Sequence, residues 1–171
     1  MEANREYFRA VIVFTNYEIS SVGRVRNSKT GRVLKTQVRK DGYVGVQLHK
    51  DGKMKSFLMH RLVALAFIEN PLEKPDVDHI DRNRANNRLE NLLWSTTSEN
   101  LMNSTKRAIT SSIYKGVYFH RQSERWRAQI RINGKAKTLG NFRNERDAGE
   151  AYNEAAIELF GVYAGLNEFT A

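Results

Sequence analysis

Residues 76–103, DVDHIDRNRANNRLENLLWSTTSENLMN, restrict the possible fold more than any other part of the chain. Residues 75–80 are extended in character, whereas residues 82–88 (RNRANNR) are too polar and Asn-rich to enter a core. Leu92, Leu93 and Trp94 then make a short apolar run fit for a strand. Thr96, followed three residues later by Glu99, is a capping-box signature that starts a helix and carries Asn100 in its first turn. The order strand, long loop, strand, helix follows. The chain contains no cysteine, so neither disulfides nor a thiolate zinc site can staple this unit. Packing must hold it.

The polar residues of this stretch match one kind of chemistry. Hydrolysis of a phosphodiester requires a base for the attacking water and a cation that neutralises charge on the phosphoryl and leaving oxygens. Asp78 and Asn100 offer hard oxygen donors suited to one Mg²⁺ or Mn²⁺, an ion that takes few protein ligands and completes its shell with water and phosphate. His79, with an ordinary pKa of about 6.5, can accept the proton. Neighbouring residues on a regular strand point to opposite faces, so a strand end or bulge is expected at His79.

These residues resemble the HNH nuclease motif, a ββα-metal unit, in the branch found in phage and intron-encoded homing endonucleases. The resemblance implies that Asp78 is a metal ligand and His79 the general base. Asn91 matches the motif's central Asn, which orients the loop and the base. Asn100 takes the third position, which is His in many relatives and a familiar Asn ligand in the homing branch.

Charge arranges the rest of the chain around this unit. A net charge of +9 and a pI near 9.9 point to a polyanion as partner. Residues 71–103 hold four Lys or Arg against six acids, whereas residues 1–70 hold 13 against six and residues 104–171 hold 11 against seven. The candidate active unit is therefore the least basic part, as suits a site that recruits a cation and leaves grip to its flanks. No apolar run approaches the roughly 20 residues of a membrane span. The N-terminus MEANREYFRA lacks a signal-peptide core, so a soluble, intracellular protein is expected, in the cytoplasm of a bacterial or phage-infected host.

The first 58 residues read as a β-rich arm. Residues 7–14 (YFRAVIVF) are a strand candidate, and the turn signals Lys40-Asp41-Gly42 and Lys50-Asp51-Gly52-Lys53 bracket an alternating strand over residues 43–49. Residues 59–67 (MHRLVALAF) are too densely apolar for alternation, so a short buried helix is expected there, packed on the catalytic unit. A histidine at the start of such a helix is usually a packing or hydrogen-bonding residue, which is how His60 is read. The segment YEISSVGRVRN resembles the nuclease-associated modular domain that often precedes HNH motifs. It implies phosphate contacts from Arg24, Arg26, Arg32, Lys35, Arg39 and Lys40.

Residues 104–112 read as a polar linker, and a second globular part should start at 113. Strand-like runs at 114–120, 125–132 and 135–142 are followed by a helix opened by Asn144 and Asp147 and closed by Gly161. Asn133-Gly134 is a hairpin signal. Trp126, Ala128, Ile130 and Ile132 fall on one face of the middle strand, and Arg125, Arg127, Gln129 and Arg131 on the other. Residues 113–143 carry eight Lys or Arg against one acid. If the helix covers one sheet face, the exposed face is the basic one, suited to a DNA groove.

The runs KGV, WRAQIRINGK, LGNF, AGEAYNEAAIELFG and LNEF, in this order, resemble the ethylene-response-factor (Apetala-type) DNA-binding domain. The resemblance implies DNA contacts from Lys115, Tyr118, Arg121, Arg125, Trp126, Arg127, Arg131, Lys135 and Lys137.

The sequence is thus expected to give an α+β protein: a β-rich arm (1–58), an HNH ββα-metal unit with its leading helix (59–103), a linker (104–112) and a three-stranded antiparallel sheet packed on one helix (113–171). The expected function is a site-selective, divalent-metal-dependent DNA endonuclease of the homing type that nicks one strand per active site. Double-stranded DNA is its partner, bound by the monomer with no small-molecule cofactor, and Arg82, Arg84 and Arg88 grip phosphates near the cut. The C-terminal module is expected to deliver the site to DNA, so that its removal lowers affinity and site choice and leaves cutting intact at high enzyme concentration. A non-catalytic, sequence-selective DNA-binding regulator with a degenerate HNH fold is the competing reading, and the Asn at position 100 is what speaks for it.

Overall fold

Two hairpin turns illustrate how short-range sequence sets the β structure. Asp51 and Gly52 have φ of 52° and 73°, and Asn133 and Gly134 have φ of 49° and 78°. Positive φ at both central residues matches the right-handed twist of the flanking strands. The computed structural model describes residues 5–104 and 111–169; of the expected linker, residues 105–110 lie outside the described residues. The chain divides into two compact units, Met1–Thr97 and Ser98–Ala171.

The first unit opens with two three-stranded antiparallel meanders. One joins β1 (Phe8–Ala10), β2 (Tyr17–Ser20) and β3 (Val25–Asn27); the other joins β4 (Gln37–Val38), β5 (Val44–Lys50) and β6 (Lys53–Leu58). The first strand is shorter than its apolar sequence suggests. The chain turns after Ala10, with Val13 at φ 73° and Phe14 N–H donating to the Val11 carbonyl. Helix α1 (Met59–Phe67) follows, as its dense apolar pattern predicts. Strands β7 (Asp76–His79) and β8 (Leu92–Ser95) then pair antiparallel, and α2 (Thr97–Asn103) begins one residue after Thr96. The division between the units falls inside this helix.

One core serves the arm and the β7–β8 hairpin together. Ile19, Val25, Val46 and Leu48 from the meanders pack with Met59, Leu62 and Val63 of α1, and with Val77 and Leu92 of β7 and β8. Residues 59, 62 and 63 recur at helical spacing and are buried, whereas Leu65 faces outward. Each fully buried aliphatic side chain stabilises the fold by about 1.5–3 kcal/mol. The sheets of the arm therefore supply much of the apolar surface on which the strand bearing Asp78 and His79 is seated.

In the second unit β9 (Val117–His120), β10 (Arg125–Ile132) and β11 (Lys135–Phe142) form an antiparallel sheet in the order β11-β10-β9. Helix α3 (Glu145–Phe160) lies across it. Its Asn144 cap accepts a hydrogen bond from Asp147 N–H at 2.8 Å, the arrangement read from the sequence. Ala148, Tyr152 and Ala156 face Val117, Ala128 and Ile130, and the small alanines let helix and sheet approach closely. Among the described residues, no helix is long and apolar enough to cross a membrane.

Candidate active site

Strand β7 ends at His79, the strand end expected there; up to that residue the pairing with β8 is regular, with Asp78 opposite Leu93 and His79 opposite Leu92. The chain turns away at once: Arg82 N–H donates to the His79 carbonyl at 2.8 Å, and Arg82 has φ 63°. Asp78 and His79 are both buried. One Asp78 carboxylate oxygen accepts the backbone N–H of His79 at 2.9 Å.

The loop from 80 to 91 is ordered by side chains that bond its own backbone. The Asn91 amide oxygen accepts from Asp81 N–H at 3.0 Å, and its NH₂ donates to Asp81 Oδ1 at 2.9 Å and to the Asn86 carbonyl at 2.8 Å. Asp81 also accepts from Asn83 N–H and from the Asn86 side chain. Burial alone would raise the Asp81 pKa, but the bonds from Asn86, Asn83 and Asn91 outweigh it and hold the carboxyl below its ordinary value. Asn91 is thus a staple across the loop that starts at His79.

His79 lies among residues that the sequence alone did not connect to it. Asn87 Oδ1 stands 3.4 Å from His79 Nε2, and the other end of that amide donates to the Ala85 carbonyl at 2.9 Å. The His60 ring meets the His79 ring edge-on at 5.1 Å, and Tyr43 lies 4.9 Å from His60 and 6.0 Å from His79. Arg84 sits over Tyr43 at 4.8 Å and donates to the Asp41 carbonyl. Burial lowers the pKa of His79, opposed by the Asn87 contact and by the carboxylates of Asp78 and Asp81. Burial, with the neighbouring His79 and Arg61 adding to it, pushes His60 down to about 4. Among the described residues, His60 Nδ1 is buried without a hydrogen-bond partner. A polar residue in an otherwise apolar helix face was the signal for His60; nothing local singled out Tyr43, and Asn87 was hidden in an Asn-rich run.

Asn100 lies on α2, in the second unit, and is half-buried. No group of three or more His, Cys, Asp or Glu able to hold a metal occurs among the described residues. A carboxylate such as Asp78 and an amide oxygen such as Asn100 are each hard donors of the kind that magnesium takes, with water and phosphate oxygens completing its shell.

The expected DNA contacts are distributed unevenly. Arg24 pairs with Glu6, and Arg26 pairs with Glu18 while lying 3.7 Å above the Phe8 ring. Arg88 pairs with Glu90. On the C-terminal sheet Arg125, Arg127 and Arg131 share the face not covered by α3, with Tyr118 directly opposite Arg127 and Arg121 exposed after β9. Lys135 and Lys137 stand opposite Ile132 and Ile130, so the register sets them on the α3 side. Trp126 is also on that side, packed against Val117, Ala128 and Ala148. The Lys115 ammonium donates to the carbonyls of Met102 and Ser104.

Residues 57–102 match the HNH endonuclease family, and residues 6–49 match the NUMOD4 motif. The chain carries an HNH endonuclease unit behind a NUMOD4 motif. It is 37 % identical over 160 residues to the uncharacterized HNH endonuclease L245 of Acanthamoeba polyphaga mimivirus, covering 94 % of this chain and 41 % of that protein. It is 45 % identical over 92 residues to the DNA endonuclease I-HmuI of Bacillus phage SP01, covering 54 % of this chain and 53 % of that one. A solved structure of DNA binding and cleavage by I-HmuI superposes with a TM-score of 0.53 at 41 % identity, over 56 % of this chain and 55 % of the other. The chain therefore spans about half the length of these relatives. Its C-terminal part resembles the AP2-like ethylene-responsive transcription factor AIL7 of Arabidopsis thaliana, 48 % identical over 59 residues, which are 33 % of this chain and 12 % of that protein. The HNH unit thus includes α1, β7 and β8, and the resemblance to AP2-like proteins belongs to the second unit.

Proposed function

We propose that this protein is a site-selective, divalent-metal-dependent DNA endonuclease of the HNH homing type that nicks one strand at each active site. The observation that carries the reading is the end of β7, where a buried Asp-His pair meets a loop fixed by Asn91. Burial keeps His79 neutral at physiological pH, able to take a proton from the attacking water. With the Asn87 oxygen beside Nε2, the favoured neutral tautomer carries its proton there and leaves Nδ1 as acceptor. Asn91 acts through the loop, fixing the turn that follows His79. Asp78 and Asn100 would hold a single Mg²⁺ or Mn²⁺, which when bound neutralises charge on the phosphoryl and leaving 3′ oxygens.

DNA is the substrate that the flanks favour. The solved relative I-HmuI binds and cleaves DNA. In this chain Arg82, Arg84 and Arg88 on the loop would grip phosphates beside the cut, and Arg125, Arg127, Arg131 and Tyr118 would lie along a duplex groove with Arg121. Residues 1–58, 59–103 and 113–171 act as arm, nuclease and DNA-reading part. The monomer is the acting species, so a double-strand break needs a second binding event.

The test is conversion of supercoiled plasmid carrying DNA of the source to open circles. Mg²⁺ or Mn²⁺ should support nicking at few sites, and EDTA or Asp78→Ala should abolish it. Nicking that persists at equal rate in EDTA would overturn the metal-dependent reading.

A further inference from the structure

Helix α2 has seven residues, too few for a helix to be stable in water without tertiary support. Its C-terminal end is held from within the second unit. Lys115 Nζ donates to the Met102 carbonyl at 2.5 Å and to the Ser104 carbonyl at 2.7 Å, and Gly165 N–H donates to the Met102 carbonyl at 3.2 Å. A cation bonded to the last carbonyls of a helix also complements its dipole. The chain at Gly165 runs so near the helix end that a Cβ there would lie 2.7 Å from the Met102 oxygen, 2.9 Å from the Asn103 oxygen and 2.8 Å from Lys115 Nζ.

Lys115 is itself fixed to the body of the C-terminal part. Its N–H donates to Asn167 Oδ1 at 2.6 Å, and the Asn167 NH₂ donates to its carbonyl at 3.2 Å. Asn167 is in turn bonded to Asn153 of α3 in both directions, Asn153 Nδ2 to the Asn167 carbonyl at 2.9 Å and Asn167 N–H to Asn153 Oδ1 at 2.8 Å. A continuous series of hydrogen bonds therefore runs from α3 through Asn167 and Lys115 to the last turn of the helix that carries Asn100.

We infer that Lys115 and Gly165 are positioning residues for Asn100: within the second unit they latch the end of α2 and so hold the helix whose amide the proposed function assigns to the metal. The inference rests on the proposed nuclease function and deepens it. Lys115 faces the helix end in this arrangement, not the DNA that its resemblance implies, and the C-terminal part contributes to the cutting step as well as to grip. A ligand displaced by about 1 Å can lower a rate by as much as a hundredfold without any loss of substrate binding.

The experiment compares the full-length protein with Lys115→Met, Lys115→Arg and Gly165→Ala. DNA affinity is measured in EDTA, single-turnover nicking at saturating DNA with Mg²⁺, and amide hydrogen exchange over residues 98–103 without metal or DNA. For Lys115→Met and Gly165→Ala the saturated rate should fall by about tenfold to a hundredfold, affinity should stay within about twofold, and exchange should quicken. Lys115→Arg, which keeps a cationic donor, should recover part of the rate. Weaker DNA binding with an unchanged saturated rate and unchanged exchange in Lys115→Met would overturn the inference, because it is the signature of a DNA contact. Should either variant fail to fold, the other reads the same latch, and wild-type exchange in both would also overturn it. Failure of the nuclease reading is distinguishable: wild type and His79→Ala would then be equally inactive, while the exchange measurement still reports on the latch.

Discussion

His60 gives the most quantitative prediction. The residue is 4 % exposed, its ring is packed against His79 and Tyr43, and its pKa is about 4. In the unfolded chain the same imidazole titrates near 6.5. Above pH 6.5 both states are neutral there and His60 adds no pH dependence. Between 6.5 and about 4 the unfolded state binds a proton that the folded state excludes, so stability falls on acidification by about 1.4 kcal/mol per pH unit. The loss is roughly 2 kcal/mol by pH 5 and on the order of 3 kcal/mol by pH 4. Urea unfolding reads this in a Trp126→Phe background, where the fluorescence of Trp94 reports on the first unit. His60→Phe should remove about that much of the acid-dependent loss. It should not destabilise the protein at pH 7.5, because the buried Nδ1 that it removes has no hydrogen-bond partner among the described residues. An acid slope between pH 6.5 and 5 that is identical in wild type and His60→Phe would refute the reasoning.

Other outcomes follow from the same contacts. Asn91→Ala removes three side-chain hydrogen bonds that close the loop, so it should cost about 2–4 kcal/mol in unfolding and depress the nicking rate more than DNA affinity; a variant with wild-type rate would exclude the orienting role. Gly23 has φ 78°, and a Cβ there would stand 2.9 Å from Asn87 Cβ; Gly23→Ala should therefore destabilise by about 1–2 kcal/mol and slow nicking by shifting Asn87 away from His79. Arg127→Ala, on the open sheet face, should weaken binding and reduce the slope of log affinity against log salt by about one; an unchanged slope would remove that face from the phosphate contacts.

What was legible in the sequence was what is encoded over short separations. The Asn133-Gly134 and Asp51-Gly52 turns, the dense apolar run of α1, the Asn144 cap and the alternation of β10 each depend on neighbours a few residues away. The Asp78-His79 pair and Asn91 were legible because their spacing belongs to one loop. The surroundings of His79 were not. Tyr43 and His60 reach it across 36 and 19 residues of chain, through a core that the arm and the β7–β8 hairpin share. Arg24 and Arg26 are basic residues whose partners, Glu6 and Glu18, are set by the pairing of β1, β2 and β3 and not by the local run. Lys135 and Lys137 have the composition of a DNA contact, but the register with β10 decides which side of the sheet they occupy. Lys115 looks like one more cation at the edge of a basic sheet, and its contact with the end of α2 depends on Gly165 and Asn167, some 50 residues away.

The central claim is that the imidazole at the end of β7 activates water for phosphodiester hydrolysis. Single-turnover nicking of cognate plasmid by purified wild type and His79→Ala, with Mg²⁺ and matched DNA occupancy, tests it most directly. The account predicts a loss of at least about a hundredfold in rate with unchanged DNA affinity; equal rates in the two proteins would contradict it.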